Sequence, residues 1–240
     1  MKIKVTIFGV SGYTGEQLLR ILNNHHNIEI VAVFGEKTIG KYLKEIFPFI
    51  IDLPQLKISS YEDFDFNQTD LVFSCLPHSH FQKIFKSINN LSSLKVIDLS
   101  ADFRLKDPND FKDWYGSKHL SAKYLKEFTY GLSEINRDLI KKSSFIANPG
   151  CYPTSVLIPL IPLAKDGFLS EDVNIIVDSK SGLSGAGKSL SESKLFTEVN
   201  ENFTAYNITE HRHYAEMKQE LSFVDKKIDL TFVPHLIPIS

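Results

Sequence analysis

Cysteine is nearly missing from this 240-residue chain: only Cys75 and Cys151 occur. Two are too few for a disulfide framework or a cysteine-based zinc site, and such scarcity fits a reducing compartment. Excess charge of one sign is missing too. The 27 basic and 29 acidic residues leave a net charge of −2, which gives no electrostatic support to a general nucleic-acid or membrane-surface role. Long apolar runs are also lacking. The richest, residues 156–164, holds Pro159 and Pro162 and falls far short of the about 20 apolar residues that a membrane span needs. Residues 1–8 are too short for a signal-peptide core and are followed at once by Gly9, Ser11, Gly12 and Gly15. The expectation is a cytoplasmic protein with neither membrane nor nucleic acid as partner. No internal repeat stands out. What is present is ordinary for a globular chain, with 42% hydrophobic and 23% charged residues, and the length suits one or two domains.

The first half alternates strand and helix patterns. Residues 3–8 read as a strand, although Lys4 and Thr6 make it less apolar than a strand covered on both faces should be. Leu18, Leu19, Ile21 and Leu22 group at helical spacing over 16–22. Further strands are expected over 30–34, 71–75, 96–99 and 145–147, and Phe81, Ile84, Phe85 and Ile88 keep the 3/4 spacing of a helix. This alternation predicts an α/β fold with a Rossmann-like, doubly wound parallel sheet over residues 1–149. Residues 106–126 form a polar, aromatic-bearing insertion with no clear place in it. After Pro149 the texture changes. Strand-like 173–177 and 230–233 lie among longer connections, and a second, α+β domain is expected over 150–240.

Three segments carry chemistry. Gly9-Val10-Ser11-Gly12-Tyr13-Thr14-Gly15 joins the first strand to the first helix. Glycines there let the backbone turn tightly and approach a pyrophosphate, with helix N–H groups and dipole favouring the anion. Ser11 and Thr14 can add hydroxyl donors. The spacing is G-x-x-G-x-x-G rather than G-x-G-x-x-G, and the plain alternative is a structural turn. Near the second strand's end, Glu36 suits the ribose hydroxyls of NAD, whereas Lys37 and Lys41 suit a 2′-phosphate. The second segment is Asn148-Pro149-Gly150-Cys151-Tyr152-Pro153-Thr154. Pro and Gly end a strand there, so Cys151 falls at a helix start, where the dipole favours a thiolate. A thiolate beside a nicotinamide suggests acyl transfer with hydride delivery. Cys75, at a strand end, reads as an inert thiol lining the crevice. The third segment is His211-Arg212-His213, whose imidazoles can carry a proton near neutral pH. No third ligand accompanies them, so no metal is expected. Arg104 is a candidate anion clamp, or else a structural partner of Asp98 or Asp102.

One further match competes. Gly182-Leu183-Ser184-Gly185-Ala186-Gly187-Lys188-Ser189 satisfies the P-loop pattern and follows a strand-like segment. An NTPase is therefore the rival function class.

Taken together, the blocks 9–15, Leu76-Pro77-His78, 98–104, Tyr130-Gly131-Leu132, 147–154, 181–187, Thr209-Glu210-His211-Arg212-His213 and 232–238 resemble the N-acetyl-γ-glutamyl-phosphate reductase family along nearly the whole chain. The resemblance implies a dinucleotide-binding Rossmann domain and a catalytic domain of the semialdehyde dehydrogenase type. It implies NADP(H) as cofactor and an acyl phosphate as small-molecule substrate. It further implies that Cys151 is the nucleophile, with His211 or His213 managing the proton. Arg104, Arg212 and Asn148 become candidates for substrate binding. Gly9, Ser11, Gly12, Tyr13, Thr14, Gly15, Pro77, Ser181, Gly182, Ser184, Gly185 and Gly187 become candidates for cofactor binding. The glycine-rich block at 181–187 belongs to the family pattern, which accounts for the P-loop match. Phe34, Gly35, Glu36 and Lys37 stand where the family often has Ser and Arg, so the NADP preference is inherited from the resemblance. Ala215 replaces the family's Pro, while Glu216 matches. The family is longer, which implies a chain lacking its C-terminal part, and a homodimer or homotetramer is implied. Reductases of other acyl phosphates, and an inactive cofactor-binding fragment, are the alternatives.

Overall fold

A computed structural model describes residues 1–240 except 90, 170 and 171. A six-stranded parallel sheet organises the first part of the chain. In order come β1 (Ile3–Phe8), α1 (Tyr13–Asn23), β2 (Ile28–Phe34), α2 (Leu43–Ile46), β3 (Leu71–Ser74), α3 (Phe81–Ser87) and β4 (Lys95–Asp98). They are followed by α4 (Pro108–Tyr115), β5 (Phe128–Tyr130), α5 (Ser133–Lys142) and β6 (Phe145–Ala147). The spatial order is β2-β1-β3-β4-β6-β5. From β1 the chain runs first to β2 on one side and then to β3 on the other. The strand order therefore reverses beside β1, and a crevice opens at the carboxyl ends there.

The sheet is covered on both faces, as a doubly wound sheet must be. Val5 and Ile7 of β1 join Leu19, Val33 and Phe47 in one core. Phe8, Val72 and Val96 join Phe81, Phe85, Phe103 and Phe128 in the other. The second core is largely aromatic, with Phe103 stacked on Phe128 at 3.9 Å between centroids. Thr6 is fully buried in this setting, and its Oγ1 has no hydrogen-bond partner. The polar residue that diluted the strand pattern is thus inside, while Lys4 is exposed at the strand's start.

The insertion at 106–126 resolves into α4 and a short 3-10 turn at Ala122–Tyr124. Asp107 caps α4 by accepting the Asn109 N–H, Pro108 opens it, and Gly116 at φ 72° ends it. Its Trp114 ring lies 5.6 Å from Tyr214, so this helix bridges the two parts of the chain.

The second part contains α6 (Cys151–Lys165), β7 (Ile175–Ser181), α7 (Phe196–Val199), β8 (Thr204–Ala205), α8 (His213–Ser222) and β9 (Leu230–Leu236). Its sheet has the order β7-β9-β8, with β7 parallel and β8 antiparallel to β9. Helices α6 and α8 share a core with β9 through Val156, Leu157, Met217, Leu221 and Phe232. Tyr130 and Leu132 enter the same core. β7 runs four residues beyond the expected 177, because Asp178, Ser179, Lys180 and Ser181 keep pairing with β9 up to Leu236. Its side chains alternate between half-buried and exposed, a pattern that tolerates polar residues. Among the described residues, no helix is long and apolar enough to cross a membrane.

Candidate active site

Four loops at the carboxyl edge of the first sheet and one helix from the second part converge on the site. The glycine turn follows β1, Cys75 to His80 follow β3, residues 99–104 follow β4, Asn148 follows β6, and α8 arrives from the second part. Gly9 sits at φ +72°, and a Cβ there would lie 2.6 Å from the Cys75 carbonyl oxygen. Only glycine fits that turn. Helix α1 has Gly12 as its N-cap and so no side-chain cap. The N–H groups of its first turn thus lack an intrahelical acceptor, and Ser11, Tyr13 and Thr14 lie at the same end. This donor set fits a pyrophosphate. Gly35 packs close to Ser11 Oγ, so the exposed Glu36 and Lys37 lie beside the same turn.

Cys151 is the first residue of α6, with Gly150 as N-cap, and its thiol is exposed. Cys75, just after β3, is half-buried instead. Burial first, and then the charge of Asp98, pushes its thiol up to about 12.

Gly150 is held by Glu216, whose Oε1 accepts the Gly150 N–H at 2.8 Å and the Tyr130 hydroxyl at 2.7 Å. Glu216 Oε2 lies 3.4 Å from Arg104 Nη1. The remaining Arg104 contacts are also internal, with Nε donating to the Asn148 carbonyl at 2.8 Å and Nη2 to the Leu99 carbonyl at 2.9 Å. Arg104 thus ties the β4 loop, the end of β6 and α8 together. Its acidic partner is Glu216, rather than Asp98 or Asp102 as the sequence suggested. Asp102 instead accepts the backbone N–H groups of Ser79 and Gln82, which pins the loop carrying Pro77 and His78. Asn148 is half-buried, and its Nδ2 donates to the Pro149 carbonyl at 3.1 Å.

The three residues 211–213 part company. The His213 ring presses on Gly150, where a Cβ would meet Nε2 at 2.8 Å and Arg104 Nη1 at 2.9 Å. His213 Nδ1 is buried without a partner. Burial, followed by the charge of Arg104, drives this imidazole down to about 2. His211 Nδ1 accepts the His213 N–H at 3.2 Å, and its ring stands among Tyr152, Tyr206 and Phe232. Burial and then Arg212 lower it to about 4. Both rings are therefore neutral acceptors at physiological pH. Arg212 is exposed. Its Nη1 lies 3.1 Å from His78 Nδ1, and its guanidinium sits 5.7 Å from the Tyr115 ring centre.

The block 181–187 returns to the first sheet. Ser181 ends β7, Gly182 caps a 3-10 turn over Leu183–Ala186, and no α-helix starts at Gly187 to Ser189. A P-loop needs that helix, so the NTPase reading fails here. Gly182, Ser184, Gly185 and Gly187 line the turn, and Lys188 beyond it reaches the glycine turn after β1. Its Nζ lies 3.0 Å from the Ser11 carbonyl oxygen and 3.0 Å from Glu16 Oε2. Lys188, the residue after Gly187, thus links the block 181–187 to the glycine turn after β1. No group of three or more His, Cys, Asp or Glu able to hold a metal occurs among the described residues.

Sequence reasoning gave no role to Glu216, Tyr130 or His78, although each stood inside or beside a motif block. Their roles depend on contacts across as many as 134 residues.

Comparison with known proteins agrees with this geometry. Residues 4–143 match the family model described as semialdehyde dehydrogenase, NAD binding domain, and residues 151–240 match semialdehyde dehydrogenase, dimerisation domain. Aspartate semialdehyde dehydrogenase II from Vibrio cholerae superposes with a TM-score of 0.73 at 18% identity, over 100% of this chain and 71% of that one. That likeness shows the fold. These matches define the semialdehyde dehydrogenase class of oxidoreductase. The N-acetyl-γ-glutamyl-phosphate reductase of Ehrlichia canis is 45% identical over 241 residues, covering 99% of this chain and 68% of the relative. A probable chloroplastic N-acetyl-γ-glutamyl-phosphate reductase of Arabidopsis thaliana is 41% identical over 238 residues, and the chain spans 59% of its length. Within the class, the chain belongs to the N-acetyl-γ-glutamyl-phosphate reductase family.

Proposed function

We propose that this chain carries the catalytic machinery for reducing N-acetyl-γ-glutamyl phosphate to N-acetylglutamate 5-semialdehyde, with NADP(H) as cofactor and release of phosphate, a step of arginine biosynthesis. The observation that carries the reading is an exposed Cys151 at the start of α6, beside a glycine N-cap held against a half-buried, neutral His213.

In this reading the neutral His213 ring, whose Nε2 lies against Gly150, orients the Cys151 thiol as a hydrogen-bond acceptor, while His211 spends Nδ1 on the His213 amide, and the thiol proton passes to the departing phosphate. The Cys151 sulfur attacks the acyl carbon. A carbon–sulfur bond forms, the carbon–oxygen bond to phosphate breaks, and a thioester remains. The nicotinamide, when bound, supplies hydride chemistry at that carbonyl. Cys151 then leaves the resulting thiohemiacetal as thiolate, freeing the aldehyde. N–H groups at the start of α6 can stabilise the oxyanion. Arg212, exposed and beside His78, is positioned to meet substrate phosphate or carboxylate. Arg104 and Asn148 act by holding the Gly150 turn. The turn 9–15, Pro77 and the turn 181–187 form the cofactor's cradle. The preference for NADP(H) over NAD(H) is inherited from the family, and Lys37 is the cation beside the second strand's end that favours it. Self-association through the part matched by the dimerisation model, as a homodimer or homotetramer, and residence in the cytoplasm complete the proposal. Two free thiols support a reducing setting.

Cys151→Ser tests it. kcat is expected to fall by more than about a thousandfold while NADPH binding, followed by fluorescence titration, stays unchanged. Cys75→Ser is expected to keep most of the activity. Near-normal turnover in the Cys151 variant would end the covalent route.

A further inference from the structure

Lys188 belongs to a motif that the P-loop reading singled out and the fold then rejected. Its side chain is nonetheless placed where a P-loop lysine works, at a glycine-rich strand-to-helix turn, though the turn is one from the opposite end of the chain. Its ammonium has three N–H donors. One goes to the Ser11 carbonyl at 3.0 Å and one to Glu16 Oε2 at 3.0 Å. The third has no acceptor among the described residues. The rings of Tyr13 and Phe47 lie 5.0 and 5.6 Å from Nζ, confining the side chain over the start of α1.

The setting points to an anion. The first turn of α1 has no side-chain cap, and its N–H groups favour negative charge. Glu16 lies in that same first turn, where its carboxylate opposes a second negative charge brought close to it. A cation bonded to Glu16 removes that opposition and keeps one donor free for the incoming group. Lys188 is joined to the second sheet by a single short turn, so the same contact couples the position of that turn to the glycine turn.

We propose that Lys188 bonds the cofactor's pyrophosphate directly, as a lysine delivered from the second part of the chain to the dinucleotide turn of the first. The inference rests on the nicotinamide-cofactor reading above.

The test is equilibrium binding of NADPH and NADH by fluorescence titration, with Lys188→Met, Lys188→Arg, Glu16→Gln and the Glu16→Gln/Lys188→Met double variant. Lys188→Met is expected to weaken both cofactors by about tenfold or more, and in the same proportion, because both carry the pyrophosphate. Lys188→Arg is expected to recover most of that loss. Added salt is expected to narrow the gap between wild type and Lys188→Met, since a half-exposed ion pair is screened. The double variant is expected to stay weak. Four results would overturn the contact. One is unchanged binding in Lys188→Met. Another is a loss confined to NADPH, which would move Lys188 to the 2′-phosphate. A third is an arginine variant as weak as the methionine one. The last is full recovery in the double variant, which would leave Lys188 only the role of neutralising Glu16. If the wild-type protein itself bound neither nucleotide, the cofactor reading would fall instead.

Discussion

At the scale of single residues, Glu216 matters most among groups that touch no substrate. It is 1% exposed and serves three donors: the Gly150 N–H, the Tyr130 hydroxyl and Arg104. Removing it would leave Arg104, itself buried, as an uncompensated charge. Glu216→Ala is therefore expected to cost about 3–5 kcal/mol of stability, read as a lower midpoint in urea unfolding. Glu216→Gln, which still accepts hydrogen bonds, is expected to lose less. A midpoint unchanged in the alanine variant would show that water replaces the carboxylate and that the cluster is soft. The sequence showed Arg104 as a cation near two aspartates. Its actual partner lies 112 residues away, and no local spacing encodes that.

At the scale of elements, α6 determines where the thiol stands. Its buried stripe of Tyr152, Pro153, Val156, Leu157, Ile161 and Ala164 follows helical spacing. Pro159 and Pro162 lie on the exposed side, as do Ser155 and Ile158, whose carbonyls those prolines leave without an intrahelical donor. Solvent reaches that face, so the helix continues through both prolines, and the run that looked like a broken apolar segment is one helix. Its N-terminus is fixed by Gly150. There, a methyl group would fall 2.8 Å from His213 Nε2 and 2.9 Å from Arg104 Nη1. Arg104 is held by buried contacts and the His213 ring packs against Tyr152 and His211, so neither gives way easily. Gly150→Ala is expected to lower kcat by about a hundredfold through displacement of the Cys151 helix start, with a smaller loss in unfolding midpoint. Equal kcat in the two proteins would show that the imidazole can move aside without consequence.

At the scale of the whole molecule, the site leaves a mark on stability against pH. His211 and His213 are held below the ordinary histidine value of 6.5, at about 4 and about 2. Below pH 6.5 the unfolded chain therefore binds more protons than the folded one, so their contribution is whole above that pH and is lost as pH falls. The slope is up to about 1.4 kcal/mol per pH unit for each ring. Glu220 acts in the opposite sense. Burial pushes its carboxyl from 4.5 up to about 7, so its contribution is present below pH 4.5 and lost as pH rises toward 7. For His213→Gln, the fall in urea midpoint between about pH 7 and pH 5 is expected to be shallower than in wild type, because one of the two neutral rings is gone. Parallel curves for the two proteins would mean that His213 takes up its proton over the same pH range in the folded protein as in the unfolded chain.

The sequence by itself determined the alternation of strands and helices in the first half, the glycine turn after β1 and the placing of Cys151 at a helix start. Each of these is written in neighbouring residues, as a period, a run of glycines or a Pro-Gly break, and short-range sterics read such patterns directly. It also carried the family resemblance, because motif blocks survive as local strings. Only the tertiary structure decided what those blocks do to one another. It gave Arg104 to Glu216, pressed His213 on Gly150, and brought Lys188 to Ser11 and Glu16. It turned residues 106–126 into a capped helix that bridges the two parts, and it carried β7 through a polar stretch because β9 lay ready to pair with it. These outcomes depend on contacts between distant segments, and burial then sets the charge state of each group. Neither distance in space nor burial is expressed in a stretch of adjacent residues.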